Sequence, residues 1–176
     1  MSTLEEGYED LTRFGLSPAE IDELCQAQNE CVFNWSTKDG WPVGVIMSFV
    51  RKPDGRIWLT CARRRKRVPA VLRDPRVSIV ISSVGTALGP SKTVTFKGTC
   101  KVHGPEDADF DELKGWFYPG LVDVIFRAMP APEDFKAAFL ANLDSPDRVV
   151  LEVETSGTIT YDGQKMSAAT IEALVQ

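Results

Sequence analysis

The chain has 176 residues, 43% of them hydrophobic, with 20 Lys and Arg against 25 Asp and Glu and a net charge of -5. That length and apolar content suffice for one buried core, so one domain spanning residues 1–176 is expected. The acidic balance, with a pI near 5.0, argues against a general binder of nucleic acid or anionic membrane. The longest apolar runs, such as Val43 to Val50, fall well short of the roughly 20 residues of a membrane span. The acidic N-terminus lacks the basic-then-apolar layout of a signal peptide, so a cytoplasmic protein is expected. Cys25, Cys31, Cys61 and Cys100 form no Cys-x-x-Cys pair; with His103 alone beside them they predict buried reduced thiols and no metal site.

In chain order, Leu16-Ser17-Pro18-Ala19-Glu20 predicts a helix capped by Ser17, with Pro18 in its first turn and Ile21, Leu24 and Cys25 at helical spacing. Cys31 to Thr37, Pro42 to Lys52 and Arg56 to Ala62 are rich in Val, Ile, Phe, Trp and Thr. They are separated by Lys38-Asp39-Gly40 and Pro53-Asp54-Gly55, so three antiparallel strands joined by Asp-Gly hairpins are expected. Arg64 to Arg73 predicts a short helix closed by Asp74-Pro75, because proline disfavours helical geometry in the residue before it. Two strands follow, Val77 to Val84 and Lys92 to His103, around the turn-rich loop Gly85 to Pro90. From Pro105 to about Leu143 the sequence predicts a helical insert, cut into two or three pieces by Pro119, Pro130 and Pro132. The strands Val149 to Thr155 and Thr158 to Tyr161 precede a tail containing Ala168 to Val175. This order is not the strict strand-helix alternation of a parallel sheet. It predicts a mainly β fold, an antiparallel barrel with peripheral helices.

Arg63-Arg64-Arg65-Lys66-Arg67 places five cations in succession where a strand ends and a helix begins, in an otherwise acidic chain. An anion would offset their repulsion, and arginine forks, a lysine and helix N–H groups are the groups that hold phosphate. Thr60, just upstream, adds a hydroxyl. A solvated helix start is the plainer reading of the same run, and nucleic-acid binding lacks interleaved aromatics. No acid–base pair, nucleophilic triad, P-loop or dinucleotide fingerprint stands out, so catalytic residues are not assigned and any chemistry would come from a cofactor. Trp35, Trp41 and the insert's Trp116-Phe117-Tyr118-Pro119 are read either as core packing or as an aromatic roof over a site.

Ile57-Trp58-Leu59-Thr60, then Arg65-Lys66, then Leu72-Arg73-Asp74-Pro75-Arg76-Val77 resembles the signature of the pyridoxamine-phosphate-oxidase-like superfamily, which includes flavin and deazaflavin oxidoreductases. Lys92-Thr93-Val94-Thr95-Phe96-Lys97-Gly98 looks like that family's next strand. The resemblance implies an antiparallel split β-barrel that binds flavin mononucleotide (FMN) or the deazaflavin F420 between two protomers of a homodimer. It implies that Thr60, Arg65 and Lys66 hold the cofactor phosphate with Arg64 beside them, and that Val45-Ile46-Met47-Ser48 lies along the isoalloxazine ring. Thr93 stands where the oxidase tends to carry Gln, which shortens or removes that contact. The oxidase's C-terminal Trp and Arg-Leu-His elements are missing, so pyridoxamine phosphate is not the expected substrate.

The expected function is a flavin- or F420-dependent oxidoreductase acting on a small molecule. The alternatives are a non-catalytic carrier or sensor, and a barrel that is empty or binds haem through His103. Because helical positions point about 100° apart, five cations exceed what one phosphate can use. That surplus favours the polyglutamate tail of F420.

Overall fold

A computed structural model describes residues 11–175. After a 3-10 turn at Leu11–Phe14, Ser17 caps α1 (Pro18–Ala27). Its Oγ accepts from Glu20 N at 3.3 Å, and Glu20 Oε2 accepts from Ser17 N at 2.7 Å. This reciprocal pair satisfies donors that the first helical turn leaves open. Leu24 and Cys25 turn into the main core.

β1 (Glu30–Ser36), β2 (Pro42–Ser48), β3 (Val50–Arg51) and β4 (Ile57–Ala62) follow. Both Asp-Gly turns form, with Gly40 and Gly55 at φ of 85° and 87°, a region that side-chain-bearing residues rarely enter. The expected strand Pro42 to Lys52 is interrupted at Phe49, which is buried in the core. Upstream of it β2 pairs with β1, from Ser36↔Pro42 to Glu30↔Ser48. Downstream of it β3 pairs with β4 through Val50↔Trp58 and Arg51↔Ile57.

The seven strands, completed by β5 (Arg76–Ser82), β6 (Lys92–His103) and β7 (Arg148–Asp162), run in the order β2-β1-β5-β6-β7-β4-β3, every pair antiparallel. Because Phe49 alone separates β2 from β3, both ends of the sheet belong to one extended segment. The sheet curls into a split barrel.

Three expectations about elements are corrected. The helix expected from Arg64 begins at Arg67 (α2, Arg67–Arg73); before it the chain makes a turn, with Arg65 N donating to Ala62 O at 3.0 Å. The two expected C-terminal strands are one, β7, because Ser156-Gly157 is not a turn. Lys97 faces Gly157 while Gly98 faces Thr155, which leaves Ser156 as the extra residue of a bulge. A Cβ on Gly98 would lie 2.3 Å from Glu154 O, so only glycine admits this approach. Finally, Pro119 lies inside α3 (Phe110–Ala128) and does not divide it. Proline has no N–H, so the bond to the carbonyl of Gly115, four positions earlier, is not made; packing of Phe117, Tyr118 and Leu121 in the second core holds the helix through this point. Pro130 and Pro132 do separate α3 from α4 (Glu133–Leu143), and α5 (Gly163–Val175) continues directly from β7.

The main core fills the barrel with inward residues such as Phe33, Leu59, Ile79 and Leu151. A second core lies on the outer face of β4 and β7, where Trp58 and Val150 meet Phe110, Phe117, Tyr118 and Leu121 of α3. The four cysteines are free and buried, and burial pushes the Cys31 and Cys100 thiols up to about 12. No described helix is long and apolar enough to cross a membrane.

Candidate functional site

The split is an opening between β2 and β4. β4 pairs with β7 along its whole length but with β3 only at Ile57 and Trp58. β2 pairs only with β1. Val45–Ser48 and Leu59–Ala62 therefore border a slot, and the β2 backbone groups turned away from β1 have no ladder partner. Such groups are obligatory hydrogen-bond formers and offer donors and acceptors to a ring with a polar rim. Val45 and Met47 face the core, whereas Ile46 is exposed on the outer face and Ser48 is half-buried.

At the end of β4 the five cations separate into three environments. Arg63 forks onto Glu106, at 2.9 and 2.5 Å, and Arg64 pairs with Asp147. The Arg63 contact holds the Glu106 carboxyl below its ordinary range. Arg67 turns back toward β2: its Nη1 lies 3.2 Å from Met47 Sδ, its guanidinium carbon lies 5.8 Å from the Trp35 ring centre, and its Nε is buried with no partner. Arg65 and Lys66 are exposed and form no ion pair among the described residues. An arginine, a lysine and an orphaned Arg67 donor beside an unpaired strand edge fit one phosphate and a planar heterocycle.

Of the residues expected at the site, Val45–Ser48 form the unpaired β2 edge, and Arg65 and Lys66 lie in the exposed turn that follows β4. Thr60 sits on the outer face with Trp58, where it donates to Val149 O at 2.8 Å. Its hydroxyl also contacts Tyr118, whose own hydroxyl burial pushes above the ordinary tyrosine value. Strand alternation thus turns Thr60 beneath the insert, and its proton is committed. Arg64 is committed to Asp147. Thr93 lies on the outer face of β6, three strands from β2, paired with Ser82 and Tyr161; one chain does not bring it to the slot. Arg67 and Trp35, not among the residues expected at the site, meet beside Met47 of β2. Arg67 belongs to the basic run, but nothing in residue type marks it as the one that turns inward.

The insert aromatics are mostly packing: Phe117 and Tyr118 are buried, and Trp116 meets Trp58 edge-on at 5.1 Å. Trp35 is buried against Phe33, while Trp41 is exposed. His103 is buried, stacked on Trp58, with Nε2 2.7 Å from Glu152 Oε2. Nε2 is thus committed to Glu152, while Nδ1 is buried without a partner.

A seven-stranded antiparallel split barrel with a cationic slot defines the class. Residues 17–160 match the family model described as pyridoxamine 5'-phosphate oxidase, and the chain belongs to that family. Similar solved structures include a conserved hypothetical protein from Mycobacterium tuberculosis, with TM-score 0.70, 19% identity, and 88% of this chain and 90% of that one covered. A protein described as an F420 reductase matches with TM-score 0.56, 16% identity and coverage of 78% and 94%. A FAD-binding protein from Mesorhizobium loti matches with TM-score 0.59, 16% identity and coverage of 81% and 92%. No functionally curated protein matches the chain. At these identities the structural likeness speaks for the fold.

Proposed function

We propose that the protein is a cytoplasmic, flavin- or F420-dependent oxidoreductase that moves hydride to or from a small molecule. The observation that carries this reading is the slot, with an unpaired strand edge at Val45–Ser48 and the unneutralised Arg65 and Lys66 at one end. Those two cations and Arg67 Nε would hold the phosphate, and the β2 edge would orient the ring. The cofactor supplies the hydride chemistry; the chain positions it and keeps water from one face. The names of the F420 reductase and the FAD-binding protein support a flavin-type cofactor.

Arg63 and Arg64 are neutralised within the chain, which reduces the surplus of cations that favours F420. Arg65, Lys66 and Arg67, without a carboxylate partner among the described residues, remain for a phosphate, so charge alone does not choose between FMN and F420. Titration of the apoprotein with both cofactors decides between them.

The functional unit in this proposal is a homodimer. Across the outer sheet face, Ile46, Val32, Val80, Thr95 and Ile159 align in register, with Ile46 and Ile159 69% and 59% exposed. A second copy covering this stripe would remove it from water. Sedimentation should give a dimer at micromolar concentration, and Ile159→Lys should weaken it.

The deciding experiment is the absorption spectrum of the purified protein, followed by mass analysis of whatever heat releases. A yellow chromophore is expected. A colourless protein that binds neither FMN nor F420 on titration overturns the reading. A loaded protein that turns over no electron donor is instead a cofactor carrier, a second reading favoured by the lack of any acid–base pair at the slot among the described residues.

A further inference from the structure

We propose that the cleft where α1, the β2–β3 junction and α3 meet binds a small carboxylate with an aromatic or branched apolar body. The cleft measures about 390 Å³, within the range of small-molecule sites. Phe49, Val50 and Val124 supply apolar lining, and Arg51, Lys52 and Arg127 supply charge. Arg51 ends β3 and Lys52 follows it, and both line the cleft.

Those three cations are opposed by one lining carboxylate, Asp22, which lies 2.6 Å from Arg51 Nη1. Arg127 donates to the neutral backbone carbonyl of Gln26 at 2.8 Å. Lys52 Nζ sits 3.6 Å from the centre of the Trp116 ring, a contact that holds an ammonium without cancelling its charge. Arg51 Nε is buried and has no hydrogen-bond partner. In a chain of net charge -5, this local positive excess beside apolar lining suits a ligand with an anionic end and an apolar body. A carboxylate there would take charge-assisted hydrogen bonds from Lys52 and Arg127, while its apolar body rested on the half-buried Val50 and Val124. Arg65 and Lys66 do not line this cleft, so the site is separate from the slot.

The test is ¹H–¹⁵N shift mapping of the protein as purified, titrated with benzoate and with its neutral counterpart, benzyl alcohol. Saturable benzoate shifts centred on residues 49–53 and 124–127 are expected, with benzyl alcohol binding at least about tenfold more weakly. The double variant K52Q/R127Q, which leaves the slot and the barrel core untouched, should lose about tenfold in benzoate affinity while keeping a native spectrum. Any one of four results overturns the proposal: no saturation by millimolar benzoate, shifts centred on Arg65 and Lys66 instead, equal binding of the alcohol, or unchanged affinity in the variant.

Discussion

β4 and β7 each serve two cores, and the two differ in what they bury. On the inner face Ile57, Leu59 and Cys61 meet Val149, Leu151 and Val153 in an interior dominated by aliphatic strand residues. On the outer face Trp58 and Val150 meet the aromatic side of α3, and here Trp58 Nε1 and His103 Nδ1 are buried without hydrogen-bond partners. The inner core sets the distance between the lips of the slot. The outer core clamps an insert onto the far side of the same strands. Fold stability therefore draws on both, and the geometry of the slot is expected to draw mainly on the inner one, since α3 meets β2 and β3 through few residues.

The sharpest way to break this division is to excavate each core separately. Leu59 and Phe117 are both fully buried, and truncation to alanine should cost about 2–5 kcal/mol for Leu59 and about 3–5 kcal/mol for Phe117. Urea unfolding should report both losses. Cofactor titration of the folded fraction should separate them, with Leu59→Ala weakening binding and Phe117→Ala leaving it within about twofold. If folded Phe117→Ala cannot bind cofactor, the insert shapes the slot and the division fails.

The slot itself is tested by Lys66→Ala against Arg73→Ala. Lys66 is unpaired at the slot, while Arg73 donates to Ser36 O at 2.8 Å from the last turn of α2. Losing one charge-assisted phosphate contact should cost roughly 1.5–3 kcal/mol of binding, about ten- to a hundredfold in affinity. Arg73→Ala should change affinity little. Equal, small effects would mean that the basic run is only a solvated surface. On the outer side, His103→Gln should cost about 1–2 kcal/mol of stability, because Glu152 keeps Arg56 at 3.0 Å, and should leave cofactor affinity unchanged. A loss of bound chromophore in that variant would reinstate His103 as a ligand.

The legible parts of this chain are those where local chemistry decides the structure. Ser17-Pro18 with Glu20, the two Asp-Gly turns and Asp74-Pro75 each fix a boundary through capping or backbone restriction, and each holds. The break at Phe49 was not legible, because nothing in Ser48-Phe49-Val50 departs from strand composition; barrel closure, a non-local event, imposes it. Ser156-Gly157 has turn composition but is absorbed as a bulge, since Gly98 opposite allows the backbones to approach. The basic run at the end of β4 and the strand that becomes the open β2 edge were legible as features of the sequence. The fate of each cation was not: the partners of Arg63 and Arg64, Glu106 and Asp147, lie about forty and eighty residues away along the chain.

The smallest expected effect concerns how α1 is held to the barrel. Leu24 and Cys25 attach it through the inner core, and Glu20 attaches it through polar contacts, accepting from Ser17 N and from Lys165 Nζ of α5 at 2.9 Å. The Ser17 backbone hydrogen bond, followed by the Lys165 contact, lowers the Glu20 carboxyl from its ordinary 4.5 to about 2. A carboxyl whose value is depressed in the folded state stabilises that state when ionised in both states. Its contribution is complete above about 4.5 and is lost as pH falls through about 2. The side chain is half-buried at the protein surface, where solvent still screens it, so the contribution is about 1 kcal/mol or less. Urea unfolding of wild type and Glu20→Gln should show wild type slightly more stable at pH 7, with the gap closing as pH falls from 4.5 toward 2. Glutamine can still accept from Ser17 N, so what disappears is the charge, and with it the pH dependence of the gap. A gap of constant size across that range would show that α1 is held by Leu24 and Cys25 alone, with the cap and the Lys165 pair adding nothing electrostatic. A gap that widened on acidification would contradict the depressed Glu20 value.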